Sequence, residues 1–275
     1  MAKYASGKYR ASRGRTVLTV AIIIFAALFL IIIGASGRVI AENLLIPIFK
    51  DVEPSITPLP HGYKSGEIQL PRLNLYCVEL NKYDSVTQAT RQSEDIRKKG
   101  GAGYIFEEAD KYRLLVSGYV TQQQALSVAE NQADDKYAPA VFLISSGSVS
   151  FRVSCPSQSF DILQEACNYF AQLVYSLVDQ AIQLEKQEIS IAALKIKYSS
   201  IAAELEGIVK KLESISSSHD DRLINELLTL YNNSLLQTKK IFLENFQDSI
   251  DFFAEIRYNY IQMTVYYCQA VQNLC

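Results

Sequence analysis

Tyr76-Cys-Val-Glu-Leu-Asn-Lys-Tyr83 returns as Tyr112-Arg-Leu-Leu-Val-Ser-Gly-Tyr119 at an offset of 112 − 76 = 36 residues. The same offset aligns Ala89 with Ala125 and Ile105-Phe106 with Val141-Phe142. A fixed period of this length marks two similar supersecondary units side by side. In the first unit Tyr76, Val78 and Leu80 alternate with Cys77, Glu79 and Asn81, the period of a strand with one apolar face. Ser85 then stands as an N-cap before a helix through Ala89, Ser93 and Ile96, which the Gly100-Gly101-Ala102-Gly103 run ends. Tyr104-Ile-Phe106 reads as the second strand. The second unit repeats the order, with Tyr112, Leu114 and Val116 inward, Thr121 as N-cap, and Ala140 to Ile144 as the last strand.

Two strand–helix–strand units predict a four-stranded sheet with both helices on one face. This is a βαββαβ arrangement of the ferredoxin-like kind, whose other face is expected to be open to solvent. The two half-signatures, with Lys99-Gly-Gly-Ala-Gly-Tyr-Ile between them, resemble the SPOR (sporulation-related repeat) domain over about a quarter of the chain. Such a resemblance implies a single-pass protein with a flexible linker and an extracytoplasmic domain. It also implies that the open sheet face binds peptidoglycan glycan strands at division or sporulation septa. Carried onto this sequence, the ligand-binding residues are Glu79, Asn81, Lys82, Arg113, Leu115 and Ser117. Several depart from the family pattern. Glu79 stands where Gln is common, Asn81 where Gly is common, Lys82 where a small hydroxyl residue is common, and Leu115 where a charge is often found.

The rest of the chain predicts an α+β protein in further pieces. Val17 to Ala35 carries no charge, and its 35 − 17 + 1 = 19 residues come close to the thickness of a bilayer core. Residues 16–36 are therefore expected to form a transmembrane helix, with a cleaved signal peptide as the competing reading. Lys3, Lys8, Arg10, Arg13 and Arg15 precede it without an acid, which places the tail 1–15 in the cytoplasm and the remaining domains outside the cell membrane. Pro47, Pro54, Pro58, Pro60 and Pro71 mark residues 37–72 as a linker to the 73–150 domain.

From Phe160 onward apolar residues keep helical spacing. Leu163, Cys167, Phe170, Val174 and Leu177 begin a stripe that runs on through Leu194, Tyr198, Leu205 and Leu212. Ser216 to Asp220 reads as a turn, after which Ile224, Leu228, Tyr231, Leu235 and Phe242 lead to Ile256, Tyr260, Met263 and Tyr267. Residues 158–275 are thus expected to form a long C-terminal helical hairpin, a coiled coil with arms of about 80 Å. The alternative is a three-helix bundle broken near Glu188 to Ile191. The aromatic residues Phe252, Phe253, Tyr258, Tyr260, Tyr266 and Tyr267 supply more surface than two helices can cover, which suggests a protein partner or self-association. In a hairpin Cys167 and Cys268 would face each other, a possible disulfide outside the cytoplasm.

Composition argues against other classes. A net charge of −2 offers no bulk attraction to nucleic acid, and 2 His residues make a His-rich metal centre or a His-based triad improbable. Glu107-Glu108 and Asp134-Asp135 read as solvated loop charge, and there is no Cys-x-x-Cys pair and no phosphate loop. No enzyme and no cofactor is expected. Two functions remain: a membrane-anchored peptidoglycan-binding protein of the cell envelope, or a structural scaffold whose degenerate domain and coiled coil recruit protein partners or oligomerise.

Overall fold

The computed structural model describes residues 62–132, 138–216, 222–246 and 248–275. Strand β1 (Tyr63–Leu70) opens the described part, followed by β2 (Asn74–Tyr83), helix α1 (Val86–Arg97), β3 (Tyr104–Glu108) and β4 (Lys111–Tyr119). Helix α2 (Gln122–Gln132), β5 (Ala140–Ser145) and β6 (Val149–Pro156) come next. Four long helices complete the chain: α3 (Ser157–Glu185), α4 (Ile191–Ser216), α5 (Arg222–Leu243) and α6 (Ser249–Leu274).

The repeat builds a four-stranded antiparallel sheet in the order β3-β4-β2-β5. The β3–β4 connection is a two-residue turn, and both central residues, Ala109 (φ 47) and Asp110 (φ 65), have positive φ. That geometry matches the twist of the flanking strands. Val78, Leu80, Leu114 and Val116 form one apolar face, and Ile96 of α1 with Ala125 and Ala129 of α2 packs upon it. The alanines let helix backbones approach the sheet closely. Thr121 and Gln124 close a capping box at α2: the Gln124 N–H donates to Thr121 Oγ1 (3.3 Å), and the Thr121 N–H donates to Gln124 Oε1 (3.4 Å).

The opposite face is covered. Leu75, Cys77 and Leu115 are fully buried in the same core as Phe170, Val174, Tyr260 and Tyr267 of α3 and α6. The aromatic surplus near the C-terminus is spent here. Phe252, Tyr260 and Tyr267 are buried, while Tyr258 lies against Tyr104 of β3 with ring centroids 5.1 Å apart. Polar ties fix the docking: the Gly118 N–H donates to the Tyr260 hydroxyl (3.0 Å), the Asn74 N–H to the Tyr175 hydroxyl (3.2 Å), and the Tyr267 hydroxyl to the Pro71 carbonyl (2.5 Å).

These observations correct the expected fold class. A ferredoxin-like domain with an open face, joined to a two-armed coiled coil, is not what the described residues form. Gln187 adopts φ 60 between α3 and α4, and Glu244 to Asp248 separates α5 from α6, so each expected arm is two helices. The longest, α3, has 29 residues and spans about 44 Å. Successive helices pack on one another, and α6 also packs on α3, which makes a four-helix bundle with one side laid on the sheet. Asp248 caps α6 by accepting the Asp251 N–H (2.9 Å).

A second sheet was also unexpected. β1, inside the range assigned to the linker, pairs antiparallel with β6 from Tyr63↔Pro156 to Leu70↔Val149. Phe160 of α3 lies over β1 so closely that a Cβ on Gly66 would fall 2.8 Å from its ring. The described residues all belong to one compact unit. Among the described residues no helix is long and apolar enough to cross a membrane, and residues 16–36, where the span was expected, lie outside them.

Candidate functional site

The six residues expected to bind glycan do not share a surface. A β-bulge shifts the register between Val78 and Glu79 and again between Glu79 and Asn81. Leu115 is fully buried beneath the bundle, whereas Ser117, past the irregularity, points to the α1–α2 side. Asn81 and Lys82 are exposed at the strand end, where Asn81 Oδ1 accepts the Lys82 N–H (2.8 Å).

Glu79 and Arg113 do meet, and they spend their charge on each other. Glu79 is buried, and its carboxylate accepts from Arg113 Nη1 at 2.6 Å, with Lys82 Nζ at 3.8 Å. Arg113 Nε also donates to Glu108 (2.9 Å), and the guanidinium lies 4.3 Å from the centre of the Phe142 ring. Phe142 in turn packs against Phe106 at 5.2 Å. Burial disfavours the Arg113 charge, but hydrogen bonds to Glu108 and Glu79 more than restore it, so its pKa lies above the ordinary value. Few of its donors remain for an external ligand.

A cleft lies on the other side, between the α1–α2 layer and the bundle, with a volume of about 320 Å³. Leu80, Ile96, Val116 and Val128 make its apolar floor. Lys99, Ser117, Tyr119 and Gln132 stand around it, and Glu185 and Arg257 contribute from α3 and α6. Arg257 Nε donates to Glu185 Oε1 (3.1 Å), Nη2 forms an ion pair with the same oxygen at 2.7 Å, and Nη1 donates to the Gly100 carbonyl. Burial pushes the Tyr119 phenol above its usual pKa, and the Glu185 charge adds to the shift while Ser117 and Arg257 oppose it. Ser117 Oγ is buried and makes no hydrogen bond of standard geometry. Sequence reasoning named Ser117 but on the wrong face; it missed Arg257 and Glu185, because their meeting depends on how the bundle docks.

A third cluster joins α1 to the bundle. Glu255 of α6, with its side chain 4% exposed, receives Arg97 Nη2 (2.6 Å) and Lys240 Nζ (2.7 Å). Burial raises its pKa, but the hydrogen bonds from Lys240 and Arg97 overcome this and hold the carboxyl below its ordinary range.

Cys167 and Cys268 are both free thiols, so the possible disulfide is not formed in this structure. With the arms broken into four helices, the pairing no longer follows from equal distance to one turn. Burial pushes the two thiols up to about 12 and about 11. Among the described residues no group of three or more metal-type ligands comes together. No protein-family model matches this chain, and neither does any curated protein or any solved structure.

Proposed function

We propose that this chain is a non-enzymatic, membrane-anchored scaffold of the cell envelope, in which the sheet unit and the helical bundle act as one body that recruits protein. The observation that carries this reading is the covering of the sheet. Glycan recognition needs an accessible face of hydrogen-bonding groups, yet here Leu75, Cys77 and Leu115 are sealed by α3 and α6. Residues that could contact sugar, Glu79 and Arg113, are paired internally. A peptidoglycan strand would have to displace α6 or bind only at the rim.

Exposed apolar side chains on the bundle favour a protein contact. Leu236 and Leu243, one heptad apart on α5, are 67% and 68% exposed, and Ile250 at the start of α6 is 42% exposed. A repeat of seven keeps such residues on one helix face.

The test uses the full chain in two parallel measurements. Incubated with purified glycan strands, intact or stripped of stem peptides, it is expected not to be retained. Crosslinked in native membranes, it is expected to give a discrete protein adduct that Leu236→Glu with Leu243→Glu removes. Retention on glycan that Glu79→Ala or Arg113→Ala weakens would instead establish the peptidoglycan reading.

A further inference from the structure

The cleft between the α1–α2 layer and the bundle holds polar groups that the fold leaves unspent. Lys99 is exposed at its edge, just past the end of α1; its N–H donates to the Ile96 carbonyl, but its ammonium has no ion-pair or hydrogen-bond partner among the described residues. The hydrogen bond from Arg257 Nε to Glu185 falls on Oε1, and Glu185 Oε2 accepts no hydrogen bond among the described residues. Ser117, only 3% exposed, sets its hydroxyl in the cleft wall beside the Tyr119 phenol. A cation and a carboxylate oxygen therefore line one cleft over a floor of Leu80, Ile96, Val116 and Val128.

Each simple ligand class fails part of this set. A carboxylate with a hydrocarbon tail satisfies Lys99 but faces Glu185 with like charge. An amine satisfies Glu185 and leaves Lys99 unmatched. A neutral apolar molecule fills the floor and desolvates both charges without compensation. A zwitterion with an apolar side chain matches all three features. At about 320 Å³ the cleft stands near the lower end of small-molecule sites, which span roughly 300–1,000 Å³, so the ligand is small.

We propose that this cleft binds an apolar amino acid or dipeptide with both termini free, its carboxylate at Lys99, its ammonium at Glu185 and its side chain on the Leu80–Val128 floor. Arg257 is the positioning residue. By holding Oε1 it fixes the Glu185 carboxylate and turns Oε2 toward the ligand. Because Glu185 and Arg257 come from the bundle while Lys99 and Ser117 come from the sheet unit, the site exists only when the two are docked.

The test is calorimetric titration of the full chain, held in lipid nanodiscs, with three probes: Leu-Leu, N-acetyl-Leu-Leu and Leu-Leu amide. Leu-Leu is expected to bind saturably at one site, and blocking either terminus is expected to weaken it about tenfold, the worth of one charge-assisted contact. Lys99→Gln should weaken Leu-Leu but leave the amide unchanged, since the amide has no carboxylate to lose; this exposed, unpaired side chain can be replaced without disturbing the fold. Val128→Trp, which fills the floor, should abolish binding of all three. Failure of Leu-Leu to bind the wild-type chain overturns the proposal, as does equal affinity for free and blocked forms. The adduct formed through Leu236 and Leu243 is read separately, so failure of one reading leaves the other standing.

Discussion

Glu255 shows how one side chain ties the sheet unit to the bundle. Its carboxylate sits on α6, one cation comes from α1 and the other from α5. Because both partners are partly exposed, at 34% and 50%, losing the carboxylate leaves them able to hydrate, and the cost falls below that of a fully buried pair. Glu255→Gln is expected to cost about 1–3 kcal/mol at neutral pH. The pH dependence has a definite sign. The folded pKa lies below the ordinary 4.5, so the stabilisation is complete above the unfolded value and is lost as pH falls through the folded one. Urea midpoints measured from pH 7 down to pH 3 should therefore fall more steeply for the wild type than for Glu255→Gln. Parallel acid limbs would show that the carboxylate carries no such linkage.

Between elements, β2 and β4 meet in a close approach at Gly118, whose N–H also donates to Tyr260 of α6. A Cβ there would lie 2.8 Å from Leu75 Cδ2 and 2.9 Å from Cγ, and Leu75 is fully buried with nowhere to move. Gly118→Ala should cost about 1–3 kcal/mol through overpacking. Leu75→Ala opens a cavity by itself, but in the double variant the cavity accepts the new methyl. The paired loss in thermal unfolding should thus be smaller than the sum of the single losses. Simple additivity would place the clash elsewhere.

The same scale separates what the sequence reveals from what it hides. The strands and helices of the repeat are local patterns, and Val78, Leu80, Leu114 and Val116 do line the face their alternation predicts. β6 carries a readable alternation of Val149, Phe151, Val153 and Cys155 with polar residues, but its partner β1 is masked by Gly66 and the surrounding prolines, so the second sheet was not expected. The breaks between helices were weaker signals. Asp248 before α6 is a readable N-cap, yet the apolar stripe runs on across it, and periodicity alone cannot tell a continuous helix from two. The covering of the sheet was not readable at all. It joins Leu75 to Tyr260 across 185 residues, a pairing that no local pattern encodes.

At the scale of the whole molecule, the sheet unit and the bundle are expected to stand or fall together. Burial of Phe252, Ile256, Tyr260, Met263 and Tyr267 in the core shared by the sheet and the bundle contributes about 1.5–3 kcal/mol for each side chain. Their combined contribution matches the net stability of an ordinary domain, about 5–15 kcal/mol. Removal of residues 249–275 would also uncover Leu75, Cys77 and Leu115, leave the Gly118 N–H unsatisfied, and strip Arg97 and Lys240 of Glu255. The shortened chain should lose its single cooperative melt and bind the dye ANS through the exposed sheet face, keeping helical circular dichroism from α3 to α5. A truncated chain that melts cooperatively at the wild-type midpoint, without dye binding, would mean that the βαββαβ unit folds independently. Its second face would then be free for a ligand after all, and the scaffold reading would lose the observation on which it rests.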